Sequence, residues 1–449
     1  MGTSVDEKPE KRLSLNHHMT IHWQDFVSSQ TQPILQTSLK QRAAIVGRVG
    51  IIMLGCGTGA WRVRAAMNKV ARVLGITCSA DIGLITLEYT CFDQEHSYSQ
   101  VLTLPGSGVD TDKLMQMENF VADFPKIAPQ KTAQELHHQL DQIKAGDSNY
   151  TAFQAGLAAA LACSAFVFLL GGGWIEMICC FVGAGLGNWV RRQLGSRHLT
   201  LLAGVSLSVA VACLAYLGCF KLLEMSFGVD MQHEAGYIGA MLFVIPGFPF
   251  ITSMLDMAKQ DMRSGLERLM YALMIIVTAT LVGFMMALIS HLRPENFLPL
   301  QLSPWVLMCL RVPASFCGVY GFSVMFNSPN KMAIYAGLIG SVANTLRLEL
   351  VDSHLVSAGI AAFVGALVAG LLASAINGSK GYPRISLTVP AIVIMIPGLY
   401  IYRGMYNLGV NNIGTGALWL SRASLIIMFL PLGLFVARVL LDKRWRHCN

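Results

Sequence analysis

Charge is what this sequence is short of. Of its 449 residues only 13% are Asp, Glu, Lys or Arg, where a soluble domain carries about 25%. The shortage is uneven. Residues 1–150 hold many of the charged side chains and histidines, and beyond Tyr150 long apolar runs alternate with short polar clusters. A chain that is 54% hydrophobic and patterned in this way cannot keep its second part in water. Zinc-type cysteine spacing is missing too. The 11 cysteines form no C-x-x-C pair, and Cys163, Cys179, Cys180, Cys213, Cys219, Cys309 and Cys317 lie in apolar segments, as small buried residues do. No metal or cofactor is expected. The net charge of +7 comes from basic residues collected in loops on one side, and no nucleic-acid module accompanies it. Residues 1–42 are polar and lack an apolar core, so no signal peptide is expected. Asp6 stands where a myristoylation signal after Met1-Gly2 needs Ser or Thr.

What is present includes one short stretch that occurs twice: Val244-Ile-Pro-Gly-Phe-Pro249 and Met395-Ile-Pro-Gly-Leu-Tyr400. Both copies sit inside apolar segments. Proline removes a backbone donor and glycine frees the chain, so Pro246-Gly247 and Pro397-Gly398 should each break a helix. In hydrocarbon the released backbone groups must be met by protein, water or ligand. A broken helix in each half of a chain is the best sequence pointer to a transporter's binding site; a structural kink is the bland alternative.

Residues 1–33 read as a flexible tail, helical at most from His22. A small cytoplasmic α+β domain is expected over 34–150. Helical spacing runs from Leu35 to Leu74, interrupted by Gly55-Cys-Gly-Thr-Gly59, which lacks the preceding strand and the lysine of a phosphate loop and reads as a helix–helix turn. Ile82–Thr90 and Ser99–Leu104 read as a hairpin around Asp93–His96. A helix is expected over Lys113–Asp123, and another over Thr132–Ala145, opened by a Thr132/Glu135 capping box. His96, His137, His138, Asp110 and Asp112 could form a hydrolytic site, but no nucleophile–base spacing supports one and a solvated surface accounts for them.

Ten spans are expected in the second part, at about 153–170, 174–190, 199–220, 236–255, 270–290, 304–326, 331–347, 355–376, 386–402 and 414–440. With the N-terminus inside, Arg191, Arg192, Arg197, Lys259, Arg263, Arg268, Lys331, Lys380, Arg384 and the Lys443–Arg446 tail fall in cytoplasmic segments. Glu224, Asp230 and Glu234 fall outside. The bias places both termini in the cytoplasm. The halves 151–295 and 296–449 also match. Phe166, Asn188, Arg191, Leu194 and His198 recur 156 positions later as Phe322, Asn344, Arg347, Leu350 and His354, and the Pro-Gly pairs recur 151 later. Five spans per copy is an odd number, so the second copy must lie upside down, giving a mostly α, 5+5 inverted repeat. Channels can be built from repeats as well.

Gly59-Ala-Trp-Arg-Val63, Ala71-Arg-Val-Leu-Gly75 and Val109-Asp-Thr-Asp-Lys-Leu114 carry a family resemblance in the soluble part. Phe168-Leu-Leu-Gly-Gly-Gly-Trp174, Ile245-Pro-Gly247 through Asp256, Gly265-Leu-Glu-Arg268, Phe326-Asn-Ser-Pro329 and Ile396-Pro-Gly398 carry it in the membrane part. Over about residues 40–440 the chain resembles the threonine/serine exporter family. That resemblance implies a ten-span exporter of small polar metabolites, driven by the proton motive force across a bacterial plasma membrane. Related split systems have been linked to dicarboxylates such as succinate. Family members often carry an acidic residue after the Gly-x-x-x-Val element; Arg64 stands there, which weakens a hydrolytic role for the soluble domain.

A carboxylate fits the half-helix N-termini that follow Pro246-Gly247 and Pro397-Gly398. Thr252 and Ser253 offer hydroxyls one to two turns on, and Tyr400 and Tyr402 hold comparable positions in the second copy. Asp256 either holds a substrate ammonium or a proton, or ends a span at the surface beside Lys259. Arg311 inside a span either meets a substrate carboxylate, pairs with Glu176, or snorkels outward, and Arg403 has the same ambiguity. Glu176 and Asp256 are the proton-coupling candidates. Asn188, Asn327, Asn344 and Gly171–Gly173 serve packing and turns. The expected partners are threonine, serine or a similar small molecule, protons and the lipid bilayer, with no nucleic acid and a homo-oligomer left open. The main reading is a secondary-active amino-acid exporter; the others are a dicarboxylate exporter and a membrane-anchored hydrolase.

Overall fold

The computed structural model describes residues 21–27, 32–197, 199–228 and 235–447. The chain divides into two compact units, Met1–Asp147 and Ser148–Asn449.

In the first unit α1 (Leu39–Gly55) and α2 (Ala60–Val73) flank the glycine-rich turn, so this segment joins two helices as expected. The antiparallel sheet has three strands, β1 (Thr77–Ile82), β2 (Thr86–Phe92) and β3 (Ser97–Thr103), in the order β1-β2-β3. The expected hairpin is β2–β3, and its first strand starts at Thr86 rather than Ile82. The register pairs Cys78 with Cys91, Leu87 with Leu102 and Tyr89 with Gln100. β1 was not legible as a separate strand because only Ile82 in it is buried. Leu87, Tyr89 and Cys91 of β2 point inward, and α1 lies across them. A Cβ on Gly47 would fall 2.2 Å from the Tyr89 hydroxyl, so only glycine allows that approach. α3 (Thr111–Ile127) opens on Asp110, whose Oδ1 accepts from the Lys113 N–H at 3.0 Å. α4 (Ala133–Ala145) opens on the expected Thr132/Glu135 box. Upstream of α1, His22 precedes a 3₁₀ turn at Trp23–Phe26, shorter than a helix. Most of the N-terminal tail lies outside the described residues.

The second unit is helical. In chain order it contains α5 (Ala152–Leu169), α6 (Trp174–Ser196), α7 (Leu201–Phe227), the short α8 (Tyr237–Ala240) with a 3₁₀ turn at Leu242–Val244, α9 (Gly247–Ala258) and α10 (Met262–Ile289). Then follow α11 (Pro304–Met325), α12 (Asn330–Asp352), α13 (Ala358–Lys380), α14 (Arg384–Val393), α15 (Gly398–Gly409) and α16 (Ile413–Leu441). Among the described residues six helices, α5, α7, α10, α11, α13 and α16, are long and apolar enough to cross a membrane. Two bent pairs raise the number to eight: Tyr237–Val244 with α9, at 53°, and α14 with α15, at 48°. α6 and α12 hold the places of the expected second and seventh spans but fall short by composition, since glycines and charges such as Glu176, Arg191, Arg347 and Glu349 dilute their apolar run.

The two series of helices correspond in detail. α6 and α12 are both 23 residues long, and α9 and α15 are both 12. Left-handed residues recur as well: Gly171 and Asn327 in one pair of turns, Gln260 and Asn411 in another. Asn327 thus has a turn role, and its side-chain oxygen also accepts from the Asn149 N–H at 2.8 Å. Asn188 and Asn344 fasten neighbouring helices, to the Ala155 carbonyl and the Ser315 hydroxyl.

Candidate functional site

The two Pro-Gly breaks have the same backbone geometry. Pro246 has φ −81° and ψ 60°, Pro397 φ −80° and ψ 55°, values close to an inverse γ-turn. The turn is closed by the Gly247 N–H on the Ile245 carbonyl and the Gly398 N–H on the Ile396 carbonyl, each at 2.8 Å. One turn on, the Phe250 N–H reaches the Pro246 carbonyl and the Ile401 N–H the Pro397 carbonyl. The glycine donors are therefore not free. Between them, among the described residues, the N–H groups of Phe248, Leu399 and Tyr400 have no recorded acceptor, and these are the donors a carboxylate could use.

The breaks lie against each other. A Cβ on Gly247 would sit 2.6 Å from Val393 Cγ2, and one on Gly398 would sit 2.3 Å from Ile245 Cδ1. Beside the contact is a cavity of about 30 Å³, lined by Met241, Ile245, Pro246, Thr280, Gly398 and Tyr402 among others. That volume admits a water or two, not an amino acid. The breaks are closed around their own apolar side chains.

The expected polar groups are distributed unevenly about this centre. Tyr402 lines the cavity and its hydroxyl accepts from the Tyr237 hydroxyl at 2.8 Å. Tyr400 packs its ring 5.0 Å from Trp419. Arg403, one turn beyond Gly398, is 6% exposed; its Nη2 donates to the Glu295 carbonyl at 2.6 Å and its guanidinium lies 5.1 Å from the Trp419 ring. Its Nε is buried with no partner among the described residues, so Arg403 does not snorkel. Thr252 and Ser253 are buried, and both hydroxyls donate to carbonyls of their own helix, Phe248 and Phe250, at 2.9 and 2.7 Å.

Three placements depart from the expectation. Asp256 is not a surface residue, being 2% exposed; its Oδ2 accepts from Ser264 Oγ at 2.9 Å and lies 3.4 Å from Arg268 Nε. At 1.5 Å per residue it stands about 14 Å down α9 from Gly247, beyond the span of one small amino acid bound at the break. Arg268 is not a loop charge but a buried member of α10. Arg311 does not pair with Glu176: it bonds Glu349 at 2.8 Å and Asp352 at 2.5 Å, tying α11 to the end of α12. Glu176 is buried and accepts from the Gly173 N–H at 2.9 Å, capping α6.

Among its described residues the first unit does not gather the singled-out histidines and acids into one site. Asp110 and Asp112 serve α3, Asp112 accepting from Gln116, and His96 sits beside Asp93. His137 is fully buried rather than solvated. Its Nδ1 meets Arg48 Nη1 at 2.8 Å, Arg48 also pairs with Asp141, and Trp23 stacks on the imidazole. Burial, with the Arg48 charge adding to it, pushes His137 down to about 3. Burial also raises the Cys56 thiol to about 12. Arg64 reaches the Ala80 carbonyl. Among the described residues His137, Arg48 and Trp23 form a structural core.

Comparison with known proteins decides the lineage. The sequence pattern of threonine/serine exporters (ThrE) matches residues 44–290, more than half of the chain, and a second ThrE pattern matches 311–440. The chain belongs to the threonine/serine exporter family. A relative from Corynebacterium glutamicum named "Threonine/serine exporter" is 24% identical over 443 residues, covering 91% of this chain and 86% of that protein. A Mycobacterium tuberculosis protein named "Probable threonine/serine exporter" is 23% identical over 393 residues, 83% of this chain and 70% of its own length. The Escherichia coli "Probable succinate transporter subunit YjjP" is 29% identical over 160 residues, only 34% of this chain and 60% of that protein. No solved structure matches. As a family member with six to eight apolar spans, this threonine/serine exporter homologue is a multi-pass membrane protein, and its matched relatives are named as exporters or transporter subunits, not as enzymes. The partners of Asp256, Ser264 and Arg268, were missed in the sequence although Arg268 ends the Gly265–Arg268 motif. Its buried pairing has no signature in linear spacing.

Proposed function

We propose that the protein is a secondary-active exporter of threonine, serine or similar small amino acids, driven by the proton motive force, with substrate passing between the Pro-Gly breaks. In this reading α5, α6, α7, α8–α9 and α10, then α11, α12, α13, α14–α15 and α16, are ten spans of a 5+5 inverted repeat. The N-terminal unit and both termini face the cytoplasm of a plasma membrane. The observation that carries the reading is the mutual contact of two identically turned breaks, each opening a new half-helix. An anchor for a soluble enzyme has no use for two broken helices packed on each other. The cavity of about 30 Å³, too small for an amino acid, fits a substrate-free state of such a carrier.

A dicarboxylate exporter is the second reading, and one observation favours it. Asp256 is neutralised by Arg268, while Arg403 near the second break is buried without a carboxylate in ion-pair contact. That charge balance suits an anion better than an ammonium. The test is efflux of labelled threonine and, in parallel, succinate from preloaded right-side-out vesicles, with and without a proton gradient. Gradient-dependent threonine efflux is the expected result. Succinate efflux alone favours the second reading, and flux of neither sinks both. Asp256→Asn probes coupling only if the variant's stability is measured alongside. Removing that carboxylate leaves Arg268 a buried charge without its partner, worth about 3–5 kcal/mol.

A further inference from the structure

α6 and α12 each carry Asn-x-x-Arg at the same place: Asn188 and Arg191, Asn344 and Arg347. Both arginines stand five residues before the C-terminal end of their 23-residue helices, half-buried. Each approaches the segment that leads into a break. Arg191 Nη1 points at the Phe243 carbonyl, 3.5 Å away and three residues before Pro246. Arg347 flanks Met395, two residues before Pro397: its Cβ and Met395 Sδ are both 3.2 Å from the point a Cβ on Gly365 would occupy. Tyr400, just past the second break, is among its electrostatic neighbours, as are Arg311 and Asp352. Asp352 is already bonded to Arg311.

Two other arginines of the membrane unit have carboxylates, Arg268 with Asp256 and Arg311 with Glu349 and Asp352, while the buried Arg403 donates to the Glu295 carbonyl and lies over the Trp419 ring. Among the described residues neither Arg191 nor Arg347 has one in ion-pair contact. Arg347 spends its Nε on Asn344 Oδ1 at 3.1 Å and leaves both Nη groups unengaged. Such a fork, held at one corner by a neighbouring amide, is prepared for a planar, two-oxygen acceptor.

We infer that Arg347 and Arg191 are the two carboxylate anchors of the transport path, Arg347 for substrate beside the second break and Arg191 for substrate beside the first. The inference rests on the exporter reading. In the inverted arrangement proposed above, α6 runs inward and α12 outward, so Arg191 serves the cytoplasmic approach and Arg347 the external one. A carboxylate handed from one to the other crosses the contact between the breaks. The amino group or side chain of the substrate meets other residues, so these two arginines set the requirement for a carboxylate, not the identity of the rest.

The experiment uses the full chain reconstituted in liposomes, with threonine and threoninamide, which lacks the carboxylate, offered from either face. Wild type is expected to prefer threonine at least about tenfold in kcat/KM. Arg347→Gln is expected to raise the threonine KM at the external face and collapse the preference for threonine over threoninamide there; Arg191→Gln does the same at the cytoplasmic face. Arg347→Lys and Arg191→Lys keep the charge and lose the fork, so they preserve the fold and lower the preference several-fold. Folded variants that keep the wild-type preference overturn the inference and leave the exporter reading standing. No wild-type flux of threonine or succinate, and no thermal stabilisation by either, overturns the exporter reading and the anchors with it.

Discussion

At the scale of single residues, burial separates groups that look alike in sequence. His96 and His138 are surface residues, but His137, one position from His138, is sealed between Arg48 and Trp23. Its Nδ1 accepts from a permanent cation, so the ring is neutral in the fold and resists protonation down to about 3. The unfolded chain binds that proton near the ordinary 6.5. The sign follows: a depressed histidine contributes stability above 6.5 that is lost as the pH falls toward 3. The first unit should lose up to about 1.4 kcal/mol per pH unit in that window. Pulse proteolysis of the full chain in urea, from pH 7 to pH 5, measures the slope. His137→Gln should flatten it, and an unchanged slope would trace the acid sensitivity to another group. Asp256 shows the same lesson in the membrane unit, since only its buried contact with Arg268 distinguishes a structural carboxylate from a proton carrier.

At the scale of elements, the breaks depend on glycine for contact as much as on proline for the turn. The Cβ of Gly398→Ala would press on Ile245 Cδ1 at 2.3 Å and Leu242 Cδ2 at 3.0 Å, side chains that shape the opposite break. Overpacking of this kind costs about 1–3 kcal/mol. Gly398→Ala should lower the unfolding temperature of the detergent-solubilised protein and slow efflux together. Gly378→Ala, with nothing within 4 Å, is the control and should do neither. Equal behaviour of the two variants would mean that the contact between the breaks is not tight. Helix order and the capping box at Thr132 were plain from the sequence, because caps and 3.6-residue periods are local; the second box, at Thr151, came only with the structure. β1 was not, because its inward residues are small and its alternation faint.

At the scale of the whole molecule, the proposed inverted repeat makes a topological prediction. Leu355, after α12, should face outside, and Lys380, at the end of α13, should face the cytoplasm. In a background lacking the exposed Cys309, Leu355→Cys should react with a membrane-impermeant thiol reagent on intact cells. Lys380→Cys should react only after permeabilisation. Labelling of both from one side would refute the ten-span arrangement. The sequence by itself determined that much of this chain is apolar enough for a membrane, that residues recur at a fixed offset between its halves, and that each half contains a Pro-Gly break. Composition, periodicity and a fixed offset are properties of the chain taken along its length. Only the tertiary structure decided which charges are spoken for. It assigned Asp256 to Arg268 and Arg311 to Glu349 and Asp352, and left Arg191 and Arg347 beside the breaks without a carboxylate. Ion pairing depends on distance in three dimensions, and residues 38 or 41 positions apart, as Arg311 is from its two partners, give no sign of it in one.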